Sequence, residues 1–390
     1  MNRRIECKDF IITCITPVHI GSGEKLGKTE YIYDSRRQQV SIIDSSKFNQ
    51  LLLRKGKLDE FAKAIYIPKG FNLYVWLKNN NFSANEIASI SKRLLKVFPA
   101  ERNINEIDLQ ARQVDGRLYI PGSTVKGVIR TAIMSQLLKN DAIKRKKYWR
   151  ILVNNIDNAR SYRDLRAISE NWENELNELL EKIPIKTEKA ATKNAMRGVL
   201  ISDAITNARE SIILKKLDAS YVDGKFNEHG VALFRECIPA GTEFKCRITM
   251  DHEFMKLIGI ENIADIWQLT RNFYQEGINL QQEVFGRQYH KELSLAKTAD
   301  MLLGGGSGFI SKTVFYTLAL TESKQAGTKL LAKYFDKMFQ LKDKRTHRRK
   351  PAHNHVIKDK IISPRTLKLV PATTGNQLIG LCKIREAEDA

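Results

Sequence analysis

Val125, Val128, Ile129, Ala132, Ile133 and Leu137 recur at i, i+3, i+4, i+7, i+8 and i+12, directly after Tyr119-Ile120-Pro121-Gly122-Ser123-Thr124. That spacing lays one apolar stripe along a 3.6-residue period and predicts an amphipathic helix entered through Pro-Gly-Ser-Thr. The neighbouring sequence reads as strands. Residues 4 to 15 alternate loosely up to Thr16-Pro17, Val199-Leu200-Ile201 reads as a buried strand, and Phe244, Cys246, Ile248 and Met250 alternate with Lys245, Arg247 and Thr249. The last of these predicts a half-buried strand with a basic outer face.

Other segments fill in the plan. Asp44-Ser45-Ser46 before Phe48, Leu51 and Leu52, with a stop at Lys55-Gly56, carries the start and stop signals of a short helix. From Lys139 to about Ala195 the chain turns charged and helical, with Leu165, Ile168, Trp172, Leu176, Leu179 and Ile183 along one face, and reads as a helical insertion. Helices are expected at about 263 to 285 and 327 to 341, and strands at 367 to 370 and 378 to 384. The order of elements predicts an α+β fold: two ferredoxin-like (RNA-recognition-motif-like) units at 1–138 and 198–390, separated by the insertion 139–197.

With 390 residues the chain exceeds one ordinary domain, which fits two units each burying a core. Lys+Arg number 65 against 44 Asp+Glu, a formal net charge of +21, and such a surplus steers a protein toward polyanions, nucleic acid first. A hydrophobic fraction of 42% excludes a wholly disordered chain. Glu6, Lys8 and Asp9 interrupt any apolar signal core near Arg3-Arg4, and no stretch approaches membrane-spanning length. The five cysteines (7, 14, 237, 246, 382) are scattered and never spaced CxxC, so reduced core thiols and a cytoplasmic location are expected, with no membrane partner.

Two glycine-bearing segments suggest phosphate contacts. Lys126 and Arg130 sit in the first turns of the predicted helix, where the macrodipole disfavours cations, so a phosphate on the amides of Gly122 to Thr124 would offset them. Gly122 and Gly127 have the P-loop interval, but Val128-Ile129 stands where Lys-Ser/Thr is needed, so no Mg²⁺ ligand remains and a triphosphate site is excluded. Gly304-Gly305-Gly306-Ser307-Gly308 departs from the dinucleotide fingerprint, yet four glycines in five residues call for close approach by a backbone or a ligand. Phe309 is placed to stack and Lys312 lies just beyond. His19, in the glycine loop Val18-His19-Ile20-Gly21-Ser22-Gly23, is of a type that serves as acid or base in metal-free RNA cleavage. His347, His353 and His355 sit among cations that would repel a metal, so no metal site and no cofactor are expected. No Ser/His/Asp order and no paired carboxylates stand out, and 342 to 350 reads as a mobile basic loop.

Three blocks, Ile15-Thr16-Pro17-Val18-His19-Ile20-Gly21-Ser22-Gly23, Ile120-Pro121-Gly122-Ser123-Thr124-Val125-Lys126-Gly127-Val128-Ile129-Arg130-Thr131-Ala132 and Gly304-Gly305-Gly306-Ser307-Gly308-Phe309, resemble in sequence and order the RAMP superfamily of type III CRISPR systems. Within it the chain is most similar to the fifth subunits of type III-A (Csm) effector complexes. The resemblance implies a non-enzymatic, RNA-binding subunit for antiviral defence. Such a subunit caps the backbone filament at the 3′ region of the guide (CRISPR) RNA, supports 3′ maturation of that RNA, and contacts the backbone and small filament subunits. It also admits a recruited trimming nuclease as a partner. Carried onto this sequence, it places His19, Gly21, Ser22, Gly23, Ser123, Lys126 and Arg130 on guide phosphates, with Gly304, Gly305, Gly306, Ser307, Gly308 and Lys312 as a second contact. The family's backbone subunits cleave target RNA with an acidic residue after their first strand. Here the loop Glu24-Lys25-Leu26-Gly27-Lys28-Thr29-Glu30 holds no aspartate, leaving Glu30 as the residue to test.

Two other readings stay open on the residues. One is a metal-independent endoribonuclease that cuts CRISPR repeat RNA with His19. The other is a protein scaffold that recruits an acidic partner or a trimming nuclease and has no RNA affinity of its own.

Overall fold

The computed structural model describes residues 4–66, 71–184, 190–342 and 347–388. Its centre is built by elements drawn from the whole length of the chain: β1 (Ile5–Cys14), α1 (Gly122–Asn140), β2 (Val199–Ile201), β3 (Glu243–Asp251), α2 (Ile263–Phe285) and β4 (Leu381–Glu386). The strands lie in the order β4-β1-β3-β2, each pair antiparallel. This is a β-α-β-β-α-β ferredoxin-like arrangement, so the α+β class read from the sequence holds. The strands of this sheet come from both segments that the sequence reading separates at 139–197. The first and last strands are neighbours, with Phe10 opposite Glu386 and Cys14 opposite Cys382.

Alternation decides which face of the sheet is covered. Phe10, Ile12 and Cys14 of β1 and Phe244, Cys246, Ile248 and Met250 of β3 are buried beneath Val125, Ile129 and Ile133 of α1 and Ile263, Ile266 and Trp267 of α2. Each such side chain contributes roughly 1.5–3 kcal/mol when fully buried. The basic outer face of β3 is met by β1: Asp9 takes Arg247 at 2.6 Å and Lys245 at 3.0 Å, and their hydrogen bonds hold its carboxyl well below the usual carboxylate range.

α1 is buried more widely than its stripe predicts, because Met134, Ser135 and Leu138 are covered too. The insertion explains this. Helices Ala142–Asn158 and Tyr162–Asn177 bring Tyr148, Trp149, Leu152, Ile156 and Leu176 into the same core. At the start of α1, Gly122 N–H donates to Asp203 Oδ1 at 2.8 Å, so a carboxylate from the chain itself already occupies the first orphan amide.

A second, nine-stranded sheet carries the long hairpin Ile212–Val222/Lys225–Cys237, flanked by Glu106–Gln110 and Gly21–Leu26 on one side and Ser91–Phe98 on the other. The helix predicted after Asp44 is Ser45–Arg54, with the Asp44 carboxylate accepting from Lys47 N–H. Several expectations are corrected. Gly21, Ser22 and Gly23 belong to a strand, where a register shift between Gly21 and Lys25 accommodates the left-handed Gly23 (φ +87°). The late strand predicted over 378 to 384 is broken at Gly380 (φ +91°), where a Cβ would lie 2.4 Å from Leu303 O, so Gly375–Leu378 and Leu381–Glu386 enter different sheets. The helix expected over 327 to 341 is Lys324–Met338, capped by Ser323. Of the predicted basic loop, Lys342 and Arg349 pair in a short antiparallel ribbon, while 343–346 lie outside the described residues. Cys7 is exposed, whereas Cys14, Cys237, Cys246 and Cys382 are buried free thiols. No helix among the described residues is long and apolar enough to cross a membrane.

Candidate nucleic-acid interface

Residues 16–20 form the seam between the two sheets. Thr16 Oγ1 accepts from Leu381 N–H at 3.0 Å, Val18 and Ile238 exchange backbone hydrogen bonds, and Ile20 N–H donates to Gln110 Oε1 at 2.8 Å. Burial of this segment is tolerated because these polar groups find partners within the protein. His19 is 4% exposed. Its Nδ1 lies 2.7 Å from the Glu236 carbonyl, which can only accept, so Nδ1 carries the proton.

Glu236 anchors the seam from below. Its fully buried carboxylate accepts hydrogen bonds from Arg93 Nη2 at 3.0 Å, Arg112 at 2.6 Å, Ser211 Oγ at 2.6 Å and Gln110 N–H at 3.1 Å. Four donors on one buried carboxylate fix the strand that carries the His19 acceptor.

The glycine loop closes over His19. Gly305 N–H donates to His19 O at 2.7 Å, and a Cβ on Gly304 would lie 2.2 Å from that same oxygen. Gly304, Gly306 and Gly308 have φ of +83°, +84° and +97°, and a Cβ on Gly306 would strike Arg235 Nη1 at 2.2 Å. The run of glycines is therefore required both by left-handed backbone and by close packing. Ser307 is buried, its Oγ donating to Gly304 O across the loop.

Between this loop, the seam and α1 lies a cleft of about 400 Å³. Ile20 and Gly21 form one wall, Thr124, Gly127, Val128 and Thr131 of α1 the second, and Leu302, Gly304, Gly305, Ser311 and Lys312 the third. All three sequence blocks thus meet in one place.

Lys312 is an exposed residue with no hydrogen bond or ion pair from its side chain among the described residues, and its pKa is held below the ordinary lysine value, first by desolvation and then by the like charge of Arg235. Arg235 lies 3.5 Å from Asp108 but outside hydrogen-bond geometry, leaving Nε and Nη1 buried and without a hydrogen-bond partner among the described residues. Two cations that repel one another beside glycine amides form a receptive setting for an anion. The His19 pKa is likewise held below 6.5, chiefly by burial, so its imidazole is neutral at pH 7.

The other predicted residues are placed differently. Lys126 and Arg130 point away from the cleft, about 200° around the helix from Thr124 and Val128. Lys126 Nζ donates to Val199 O at 2.6 Å and is desolvated there, and Arg130 donates to Asn177 Oδ1 at 2.5 Å. The cation-dipole conflict read from the sequence is thus met by protein oxygens. Ser123 is exposed, and the Gly122 amide is engaged by Asp203. Ser22 and Gly23 lie exposed on their strand, and Glu30 Oε2 accepts from Gly27 N–H at that strand's far end. His355 is tied to Asp359 at 2.9 Å, and no group of His, Cys, Asp or Glu that could hold a metal occurs among the described residues. Sequence reasoning named Thr124 only for its amide and missed Gly127, Thr131 and Arg235. The three helix residues were legible as a second, small-residue face at helical spacing, while nothing local marks Arg235.

The sequence profile of the RAMP superfamily matches residues 11–368. The chain belongs to the RAMP superfamily. It is 29% identical over 138 residues to the Csm5 protein of Enterococcus italicus, covering 30% of this chain and 40% of that relative, so the match spans less than half of the relative's length. It is 23% identical over 340 residues to Csm5 of Mycobacterium tuberculosis, covering 80% of this chain and 84% of the other. In fold, this RAMP protein is similar to a chain of a type III-A Csm–crRNA–target RNA ternary complex, with a TM-score of 0.67, 18% identity, and coverage of 97% of this chain and 100% of that one.

Proposed function

We propose that this RAMP protein is the Csm5-like subunit of a type III-A Csm effector complex. It binds the 3′ region of the guide RNA, caps the backbone filament there, and supports 3′ maturation of that RNA. Its partners are then the guide RNA, the backbone and small filament subunits, and a trimming nuclease recruited from outside. Its role is to bind, without a catalytic step of its own, in the cytoplasm. The observation that carries this reading is the cleft in which the seam, α1 and the glycine loop converge beside Lys312 and Arg235. The likeness to Csm5 proteins and to a chain from a Csm complex with crRNA supports it.

Contacts from glycine amides and from Lys312 address phosphates and therefore hold RNA without reading its sequence, which suits a guide that varies. His19, neutral, buried and committed through Nδ1 to a backbone carbonyl, serves to hold the loop through its own carbonyl oxygen. The test is incubation of the purified chain with a guide-length single-stranded RNA, with and without Mg²⁺, over a salt series. Intact RNA bound with log K falling against log salt at a slope near about −4, for roughly six phosphate contacts, supports the reading. A slope near zero returns the chain to a protein scaffold. Cleavage at one fixed position that is lost in His19→Ala makes it a nuclease.

A further inference from the structure

The fold itself gives no reason for the glycine at position 127. Among the glycines whose surroundings are described, every other one either holds a left-handed φ or has an atom within 4 Å of the place its Cβ would take. Gly122, the other glycine of α1, would meet Ile201 O at 2.2 Å. Gly127 has neither feature. It lies inside a helix of 19 residues, and a methyl group added there would stand in open space. Glycine in a helix interior is destabilising relative to alanine, because the unfolded chain has more freedom to lose. Here that loss of stability is offset by nothing within the protein, which is the signature of a position kept bare for something that binds.

The open space is the cleft. Gly127 shares its helical wall with Thr124, Val128 and Thr131, and Lys312 stands in the wall of the glycine loop. Thr131 Oγ1 donates to Gly127 O at 3.0 Å, so the carbonyl is engaged and the residue offers the cleft a bare Cα. The lining narrows what can lie against it. Among the described residues no ring and no carboxylate lines the cleft, and Lys312 is its one charged residue. A base would find no ring to stack on, whereas an anionic backbone meets a cation and no repelling acid. A partner helix, about 10–12 Å across with its side chains, would fill this space with a single turn, so a slender extended strand suits the cleft of about 400 Å³ better. Small neutral walls beside one cation match the repeat of a sugar–phosphate backbone, in which each charge is followed by an uncharged sugar.

We propose that Gly127 is the clearance point of the RNA path: the sugar–phosphate backbone of the bound strand crosses α1 in van der Waals contact with its Cα, with an adjacent phosphate at Lys312. Gly127 is then a positioning residue that sets the width of the cleft. This rests on the RNA-binding reading above and deepens it, because the strand enters the cleft by its backbone and not by its bases.

The experiment compares the full-length wild type with Gly127→Ala, Gly127→Leu, Lys312→Ala and the Gly127→Leu/Lys312→Ala double variant. Stability is read by scanning calorimetry, and affinity by fluorescence anisotropy on a guide-length single-stranded RNA and on an abasic strand of equal length, over a salt series. Gly127→Ala is expected to melt above wild type and Gly127→Leu no lower than wild type, while both bind RNA more weakly, the leucine variant by about 5- to 150-fold. The loss should be equal on the abasic strand. The salt slope of Gly127→Leu should be shallower by about 0.7, as in Lys312→Ala, with no further change in the double variant, because the added bulk lifts the strand from that lysine. Wild-type affinity in Gly127→Leu overturns the proposal. A lower melting temperature in Gly127→Ala also overturns it, since the glycine then serves the fold, and the alanine variant decides the matter by its affinity if the leucine variant does not fold. A loss confined to the strand that carries bases overturns it as well, because a base and not the backbone then lies on Gly127. Absence of salt-dependent RNA binding by the wild type sinks this proposal together with the RNA-binding reading, whereas the other adverse results sink the clearance role alone.

Discussion

Replacing Gly304 by alanine isolates what the glycine loop does. The new Cβ would lie 2.2 Å from the His19 carbonyl oxygen, on a backbone held at φ +83°. The left-handed conformation costs an L-residue roughly 1–2 kcal/mol. The clash is relieved only by lifting the loop, which breaks the 2.7 Å bond from Gly305 N–H and strands a buried carbonyl at about 1–3 kcal/mol. The sum is about 2–5 kcal/mol. With 390 residues, at about 2.1 cal/mol/K of unfolding entropy per residue, the whole chain loses about 1.2 °C per kcal/mol, so the melting temperature should fall by about 2–6 °C. Gly127 gives the opposite sign in the same cleft. It is helical, and a methyl group added there would meet nothing within 4 Å, so Gly127→Ala should raise stability by about 1 kcal/mol, or about 1 °C. Differential scanning calorimetry of both variants decides the matter. A Gly304→Ala melt within about 1 °C of wild type would refute the view that close packing on His19 is why glycine stands there.

Glu236→Ala strips the buried carboxylate from Arg93 and Arg112, which are only 26% and 13% exposed, and should cost about 3–5 kcal/mol in urea unfolding; a loss under about 1 kcal/mol would show that the arginines find other partners. Lys312→Ala should make the salt slope of RNA binding shallower by about 0.7, whereas Lys126→Ala, which removes only the contact to Val199 O, should leave the slope unchanged; the reverse result would move the phosphate site to the other face of α1. The folded-state pKa of His19 lies below the unfolded value near 6.5, so below pH 6.5 the unfolded chain takes up a proton that the folded chain refuses, and stability falls with pH. In His19→Asn that component is absent, and the stability gap between wild type and variant should shift against wild type from about pH 8 to about pH 5; a gap independent of pH would disprove it.

Local periodicity was legible throughout. The stripe of α1, the alternation of β3, the capped helix after Asp44 and the face of the helical insertion all appear where short-range spacing puts them. The membership of the three blocks in one site was legible only through resemblance, since residues 20, 124 and 304 are brought together by folding alone. Within that site, nearness to a helix start singles out Lys126 and Arg130 as the cations to expect. But a helix turns 100° per residue, and which side faces the cleft depends on where β2 and the insertion pack. Arg235 carries no local sign because its role comes from its neighbours, Gly306, Asp108 and Lys312.

By itself, then, the sequence determined the α+β class, the basic character, the existence of the main helices, and the glycine-rich blocks. Those properties depend on propensity and on periods of two and 3.6 residues, which act over a few positions. The tertiary structure alone decided that β1 pairs with β4 from the other end of the chain, and that His19 is sealed in a seam by the Glu236 carbonyl. It also decided that Asp203 rather than a ligand meets the first amide of α1. Contacts between residues hundreds of positions apart follow from packing and from the need to satisfy buried polar groups, and no local pattern encodes them.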